Sequence, residues 1–277
     1  MLKAELSLQY RLEEEYWRTK SRIQWLQAGD RNTRFFHSKT KQRRSNNRII
    51  HISDEEGKIY TEVKDVHSQI QKYFQDLYIS EGISINQNLL NGIPTTITAE
   101  INKKLIQEVT DKEIEDAAHA INPEKSPGPD GMNAGFFRHH WETIKQGVIF
   151  HVKHFFAQSH LDPRINYTHI CLIPKIDSPN TVNDYRPISL SNVAYKIISK
   201  ILAERLKPWL NSVITKNQSA FIPVTKKMGF CETWCKWIHT CMSMVTYSVL
   251  VNGEPSKTIT PTRGIRQGFI LSIHYMY

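Results

Sequence analysis

Residues 122–131 (NPEKSPGPDG) constrain the fold of this chain more than any other stretch. They place three prolines and two glycines in ten positions. Proline lacks a backbone N–H and glycine is conformationally permissive, so neither a regular helix nor a central strand continues through such a segment. One set of elements therefore has to end before this break and another has to begin after it.

Hydrophobic spacing on both sides of the break predicts helices as well as strands, and the predicted fold class is α+β. A capping-box pattern at Thr110 and Glu113 begins the helix before the break. Alternation predicts a strand over residues 167–175 and two hairpins, one turning at residues 54–57 and one at Asn252 and Gly253. Residues 79–97 are expected to be looser and polar. Helical spacing is found over residues 4–26, 62–78, 110–121, 134–158, 194–214 (with a bend before Pro208) and 228–242.

Positive charge is concentrated in two parts of the chain. The net charge is +9, and the residues after 170 hold thirteen Lys/Arg but only five Asp/Glu. Residues 18–48 hold ten Lys/Arg against the single acid Asp30, interleaved with Trp25, Phe35 and Phe36. Cations beside stacking aromatic rings are typical of surfaces that bind nucleic acid, whereas a solvated helix face followed by a loop is the plain alternative. These residues alone leave both interpretations open.

Length and composition indicate a soluble, intracellular protein of one or two domains. With 277 residues, 40% of them hydrophobic, the chain can bury a sizeable core. No apolar run approaches the roughly 18 residues of a membrane span, and the first residues are charged where a signal peptide is apolar. Four cysteines in a chain of this length fit reduced thiols. Nucleus and cytoplasm both stay open, and no membrane partner is expected.

Clusters of reactive side chains do not indicate a metal site. Cys231, Cys235 and His239 recur every fourth residue, but on a straight helix the outer two lie about 12 Å apart, too far to share one zinc ion. Packing in the core is the expected role of this stripe. Four further histidines lack a Cys or carboxylate partner at ligand spacing and are expected to be structural or surface residues: His139, His140, His151 and His154. Neither of the common glycine-rich phosphate loops is present.

Six strings occur in one order along nearly the whole chain: YWRTKSRIQWLQAGDRNTRFFH, KSPGPDGMNAGFF, CLIPKIDSPNTVNDYRPISLSNVAYKIISKILAERLKPWL, NQSAFIP, TYSVLVNGEP and TPTRGIRQG. Together they resemble the reverse transcriptase of non-LTR retrotransposons, the LINE-type elements abundant in plant genomes. KSPGPDG and DYRPISL are the most specific of them. The resemblance implies a right-hand polymerase fold with the fingers largely present, the palm incomplete and the thumb absent. It also implies a helical, basic extension over residues 1–100 before a partial reverse transcriptase domain over residues 101–277.

The resemblance also implies where nucleotide and nucleic acid are bound. Lys175 and Arg186 match the basic positions that hold the triphosphate of the incoming nucleotide, and Gln267 and Gly268 match the palm motif that positions template and nucleotide. Pairing of both cations with surface acids is the plain alternative. RNA and DNA are the implied partners. Contacts to them are expected from Arg31, Arg34, Lys41, Arg43, Arg44, Arg48, Lys125, Arg263 and Arg266.

The sequence departs from this family in the palm. Such polymerases use two metal ions, magnesium in the intact family, held by aspartates from two palm motifs. The segment that carries the first motif is replaced by the four residues between Pro223 and Met228, and the second motif lies beyond Tyr277. We therefore expect no catalytic residue, no bound cofactor, and a chain shortened at both ends as well as internally. The alternatives are a reverse transcriptase by descent that is inactive as this chain, and a non-enzymatic protein that binds RNA or DNA.

The missing palm segments also lead to an expectation about folding. Residues 247–252 with 257–260 form a predicted hairpin whose edges and apolar face have no partner. We therefore expect the chain up to about Ile222 to form a protease-resistant core, and residues 224–277 to be poorly ordered or to drive association.

Overall fold

The structure is a computed structural model that describes residues 2–23, 33–79, 94–209 and 226–262. Its architecture is mixed α+β, as the sequence predicts. The chain divides into two compact units, Met1–Val66 with Leu172–Arg186, and His67–Cys171 with Pro187–Tyr277. Each unit is described separately below.

The first unit begins with two packed helices, α1 (Leu2–Ser21) and α2 (Thr33–Asn46). Phe36 is fully buried on α2, and the rings of Trp17 and His37 lie 3.6 Å apart between their centroids. The helix predicted over residues 4–26 ends early, because Arg22 adopts a left-handed backbone conformation with φ 61°. Residues 24–26 lie outside the described part of the chain.

The predicted hairpin at residues 54–57 is confirmed. Strand β1 (Ile52–Ser53) pairs in antiparallel fashion with β2 (Ile59–Tyr60). The carboxylate of Asp54 accepts hydrogen bonds from the backbone N–H groups of Glu56 and Lys58, at 3.0 and 2.9 Å. These bonds explain how an acidic turn between two-residue strands is fixed, since aspartate mimics a backbone turn in this way.

The second unit is built mainly from helices around one core. The Thr110 hydroxyl accepts the N–H of Glu113 at 3.1 Å, which confirms the predicted helix start. A seven-residue helix that begins after Thr98 was not predicted, because its roughly two turns give little periodic signal. The helices are α3 (Val63–Tyr78, which begins in the first unit), α4 (Ala99–Leu105), α5 (Asp111–His119), α6 (Ala134–His139), α7 (Trp141–Gln158), α8 (Pro163–Asn166), α9 (Val193–Leu206) and α10 (Glu232–Ser243).

Three predicted helices have different bounds in the structure. The continuous helix predicted over residues 134–158 is wrong, since His140 leaves the helical conformation (φ −103°, ψ 17°) and separates α6 from α7. Helix α9 gives way to a 3-10 turn at Lys207–Trp209, next to the predicted bend, and residues 210–214 are outside the described ranges. Helix α10 begins only after Gly229, whose φ of 95° does not belong to a helix.

A four-stranded sheet has the order β4-β3-β5-β6, with β3 at Tyr167–Pro174, β4 at Tyr185–Ser191, β5 at Thr246–Val251 and β6 at Glu254–Pro255. Asn252 and Gly253 both have positive φ, as a tight two-residue hairpin turn requires. Strand β4 was not predicted. It contains Pro187, which lacks a ladder N–H and argues against a strand in a single sequence.

The expectation that residues 247–252 lack a partner is wrong. Strand β5 pairs in parallel with β3, in a register that places Val249 opposite Ile170. Tyr247, Val249 and Val251 are each at most 1% exposed. The described residues 226–262 are therefore an integral part of the second unit and not an unpaired remnant.

The core of this unit joins helices from both sides of the break at residues 122–131. Trp234 is fully buried in it, and the Trp237 indole N–H donates to the carbonyl of Phe156 at 3.0 Å. At its edge Arg205 forms a two-pronged ion pair with Glu113, at 2.7 and 2.8 Å. The break therefore separates elements in sequence but not in the core.

Tyr78 makes the stability of the second unit sensitive to alkaline pH. Burial raises its pKa to about 12. The unfolded chain releases this proton near pH 10 and the folded chain holds it, so stability is lost as the pH rises above 10. We expect a loss on the order of 2 kcal/mol by pH 11.5 that is absent in Tyr78→Phe. Urea unfolding at pH 9 and 11.5 measures it, and an equal loss in both proteins would contradict this assignment.

Candidate nucleic-acid interface

Helix α2 presents a row of exposed cations. Phe36 and Thr40 are buried on this helix, Thr33, Phe35 and His37 are half-buried, and its other positions are exposed. The helix contains no acidic residue, and His37 Nε2 lies 3.9 Å from Glu13 Oε1 on α1. None of its Lys or Arg side chains forms an ion pair with another described residue. The exposed cations of α2 and of the turn after it, called the α2 cations below, are Arg34, Lys39, Lys41, Arg43, Arg44 and Arg48.

The aromatic part of this surface is smaller than the sequence suggests. Phe36 is fully buried and is therefore not available to stack on a base. Phe35 is half-buried, with the Lys39 ammonium 5.9 Å from its ring centroid. Trp25 and the predicted contact Arg31 lie outside the described residues. The described surface of α2 is consequently suited to a charged backbone more than to bases.

The loop between β3 and β4, in the same unit, carries Lys175, and Arg186 follows the loop as the second residue of β4. The Lys175 N–H donates to the carbonyl of Asp184 at 2.7 Å, which closes the loop. The Lys175 ammonium donates to the carbonyl of Asn183. Both Lys175 and Arg186 are exposed, and neither forms an ion pair within 4 Å among the described residues. The two cations therefore flank one closed loop.

The Asp184 carboxylate holds this loop in shape. It accepts the backbone N–H groups of Thr181 and Asn180 at 2.8 and 3.0 Å. These hydrogen bonds, with a smaller contribution from the nearby Lys175 charge, lower the pKa of Asp184. The group is consequently ionised at neutral pH, and its Oδ2 atom is occupied by hydrogen bonds within the loop.

Asn180 anchors the same loop to β1. Its carbonyl accepts the N–H of Ser53 at 2.7 Å, and its side-chain oxygen lies 2.9 Å from the His51 ring nitrogen. Sequence reasoning missed this residue, because its partners are more than a hundred positions away. The loop with Lys175 and Arg186 is thus fixed by several hydrogen bonds before any ligand arrives.

In the second unit, Asn192 fixes the loop over residues 122–131. Its side-chain oxygen accepts the N–H of Asp130 at 3.2 Å, and its side-chain nitrogen donates to the carbonyls of Arg164 and Ile165 at 3.0 and 3.3 Å. A Cβ atom on Gly128 would lie 2.3 Å from the Asn192 oxygen, so only glycine fits there. Asn192 was not singled out by the sequence, although it stands two positions after the end of the DYRPISL string.

Two lysines lie at this loop. The Lys125 side chain is exposed, as a nucleic-acid contact requires. Lys196 is half-buried and donates to the carbonyl of Ser126 at 3.4 Å. Burial lowers the pKa of Lys196, the Lys125 charge adds to that effect, and Asp130 opposes it. Lys196 was missed because it occupies a position in a periodic helix that carries no signal of its own.

Four further predicted contacts, Arg263, Arg266, Gln267 and Gly268, lie outside the described residues. The structure therefore neither gathers them with Lys175 and Arg186 nor separates them.

The described part of the chain does not offer a donor set for a metal ion. No group of three or more His, Cys, Asp or Glu side chains is placed there to hold one. Three of the five acids after residue 170 are engaged separately: Asp184 caps its own loop, Glu204 pairs with Lys200 at 2.7 Å, and Glu232 lies 3.9 Å from Lys236. These residues do not fit the two magnesium ions that intact members of the family hold.

The expected core role of the stripe of Cys231, Cys235 and His239 holds fully only for Cys235. Cys235 is buried, Cys231 is half-buried, and His239 is exposed. Of the helices that the structure describes, none combines the length and the hydropathy of a membrane span.

Fold and surface together define a mixed α+β chain with exposed cations on a helix and on a closed loop. In sequence, the chain is similar to the Transposon TX1 uncharacterized 149 kDa protein of Xenopus laevis, with 28% identity over 208 residues. That alignment covers 74% of this chain and 16% of the relative, so the chain spans about a sixth of the length of the protein it matches. No family model matches the chain.

Proposed function

We propose that this chain belongs to a non-LTR retrotransposon reverse transcriptase and that it binds RNA and DNA without polymerising nucleotides. In this proposal residues 1–100 are the basic extension and residues 101–277 a partial polymerase domain with fingers and an incomplete palm. The similarity to a transposon protein supports the origin of the chain. The KSPGPDG and DYRPISL strings support the assignment to a reverse transcriptase.

The α2 cations are the observation that carries the binding proposal. Six exposed Lys and Arg side chains follow one helix and its last turn, and the described residues supply no acid to pair with them. Cations arranged in this way release counterions from a phosphate backbone when it binds. Lys175 and Arg186 extend the proposal to the triphosphate of a nucleotide, since phosphoryl groups are held by fixed cations.

Substitution of three α2 cations tests this proposal. In Arg43→Ala/Arg44→Ala/Arg48→Ala, we expect the slope of log affinity against log salt for single-stranded RNA to fall by about two to three, because each lost phosphate contact removes up to one from it. Fluorescence anisotropy with the full chain measures the slope.

The matched control removes three lysines that are each paired with an acid on their own helix, Lys112, Lys145 and Lys236. It lowers the net charge equally and is expected to change the slope by less than about one. Equal effects of both triple variants would show that general charge, and not α2, binds the RNA.

Absence of DNA synthesis is the second expected result. Without carboxylates to hold two metal ions, the developing charge of phosphoryl transfer is not stabilised. A primed RNA template with labelled nucleotides and magnesium or manganese is the assay, with an intact reverse transcriptase as the positive control. Incorporation above the no-protein level would refute the inactive assignment, and it would leave the RNA-binding result standing.

A further inference from the structure

A pocket of about 470 Å³ lies beside the C-terminal half of α7 and the short α8, within the second unit. Helix α7 contributes Phe150, His151 and His154, and the turn into α8 contributes His160, Asp162 and Arg164. The turn is made by Ser159, whose φ of 53° ends α7 in the left-handed region. Leu161, only 2% exposed, forms the floor.

One wall of this pocket is a flat aromatic surface. The Phe150 side chain is 65% exposed, more than any other aromatic residue in the described chain. Its ring is nearly parallel to that of His154, at 20° and 6.1 Å between centroids. The side chains that this helix buries in the core include Val152, Phe155 and Phe156. Packing in the core therefore does not account for the exposed phenyl ring of Phe150.

The opposite rim carries hydrogen-bond donors. Asp162 accepts Arg164 Nε at 3.1 Å and Arg164 Nη2 at 2.6 Å, and these bonds lower the pKa of Asp162 to about 2. The ion pair fixes the guanidinium while its remaining N–H groups face solvent, since the Arg164 side chain is 91% exposed. No hydrogen bond or ion pair among the described residues occupies the ring nitrogens of His151, His154 or His160.

We propose that this pocket binds one nucleotide of a single-stranded nucleic acid, with the base against Phe150 and the phosphate at His160 and Arg164. A flat ring beside fixed donors matches a ligand that is aromatic at one end and anionic at the other, and base stacking on aromatic side chains tolerates any sequence. The volume lies in the range of small-ligand sites. A metal site does not fit, because the described residues contain no suitable group of three ligands. This site is additional to the α2 cations and does not depend on them.

A short oligonucleotide tests the pocket in the full chain carrying Arg43→Ala/Arg44→Ala/Arg48→Ala, which removes three contacts of the surface proposed above. We expect Phe150→Ala to weaken the binding of fluorescent pentathymidylate by about tenfold at about 200 mM salt, since one stacked base is lost. Phe150→Trp is expected to preserve binding. Because Phe150 is exposed, neither substitution removes core packing, and thermal unfolding checks that both variants are folded.

Phe136→Ala is the matched control. Phe136 is also exposed and also contacts a histidine four residues later, His140, at 4.7 Å between ring centroids, but it does not line the pocket. Ultraviolet cross-linking with 5-iodouracil in the same oligonucleotide is expected to modify the peptide that contains residues 150–165. Three results would each overturn the proposal. The first is equal weakening of binding by Phe150→Ala and Phe136→Ala, and the second is no binding by the parent chain. The third is displacement of the bound oligonucleotide by polyglutamate as effectively as by unlabelled oligonucleotide.

Discussion

The affinity of the full chain for single-stranded RNA is expected to fall about a thousandfold between about 50 and 200 mM salt. The six α2 cations are exposed and have no acidic partner among the described residues, so each can neutralise one phosphate. Neutralising six phosphates displaces the same order of counterions, and the salt dependence follows from their release. Arg186, the second residue of β4, is exposed in the same way and adds to the effect.

Anisotropy titrations at four salt concentrations measure this dependence, with double-stranded DNA as a second ligand. Lys175→Ala/Arg186→Ala separates the two cationic surfaces. If α2 provides the main RNA contacts, this double variant is expected to keep most of the salt slope for RNA binding. It is also expected to bind triphosphate more weakly, which a fluorescent nucleotide analogue measures. An affinity that is unchanged over this salt range would contradict electrostatic binding at either surface.

Local chemistry made the two hairpins predictable. Asp54 and Gly57 close one turn, and Asn252 and Gly253 close the other, each through side-chain hydrogen bonds or positive φ that the residue types themselves supply. The break at residues 122–131 and the cap at Thr110 belong to the same category. In these places a few neighbouring residues determine the backbone.

Other elements depend on distant partners and were missed or misplaced. Strand β4 forms despite Pro187 because it pairs at the edge of the sheet next to β3. The division of the helix at His140 was missed because hydrophobic spacing continues through it: Phe137 and Trp141, four positions apart, are both buried. Strand β5 was expected to lack a partner, because its pairing with β3 joins residues about eighty positions apart.

The candidate site shows the same division. The sequence identifies Lys175, Arg186 and the α2 cations by residue type and motif, and the structure places all those it describes on the surface. It does not identify Asn180 or Asn192, since their effect lies in long-range hydrogen bonds that fix two loops. It left open whether Phe36 belongs to a stacking surface or to a solvated helix face, and the structure buries the Phe36 side chain completely.

The burial of residues 226–262 leads to the prediction with the largest expected effect on stability. Trp234 is 0% exposed, and its ring stacks on Phe230 at 15° with 6.2 Å between centroids. Trp234→Ala is expected to destabilise the second unit by about 3–5 kcal/mol, since it removes a large buried side chain and leaves a cavity. Phe150→Ala, an aromatic truncation at a 65% exposed position, is the matched control and is expected to cost less than about 0.5 kcal/mol.

Trp234→Phe separates packing from hydrogen bonding at the same position. The buried Trp234 Nε1–H has no hydrogen-bond partner among the described residues, so its removal forfeits no such bond there and relieves part of a desolvation cost. The phenylalanine variant is therefore expected to lose much less stability than Trp234→Ala. Urea unfolding gives the free energies, and limited proteolysis shows whether residues 226–262 remain protected with the rest of the second unit. A side chain that supports the core cannot be removed without loss of stability. If Trp234→Ala kept wild-type stability and residues 226–262 were the first to be cleaved, this segment would therefore not be packed as the structure has it.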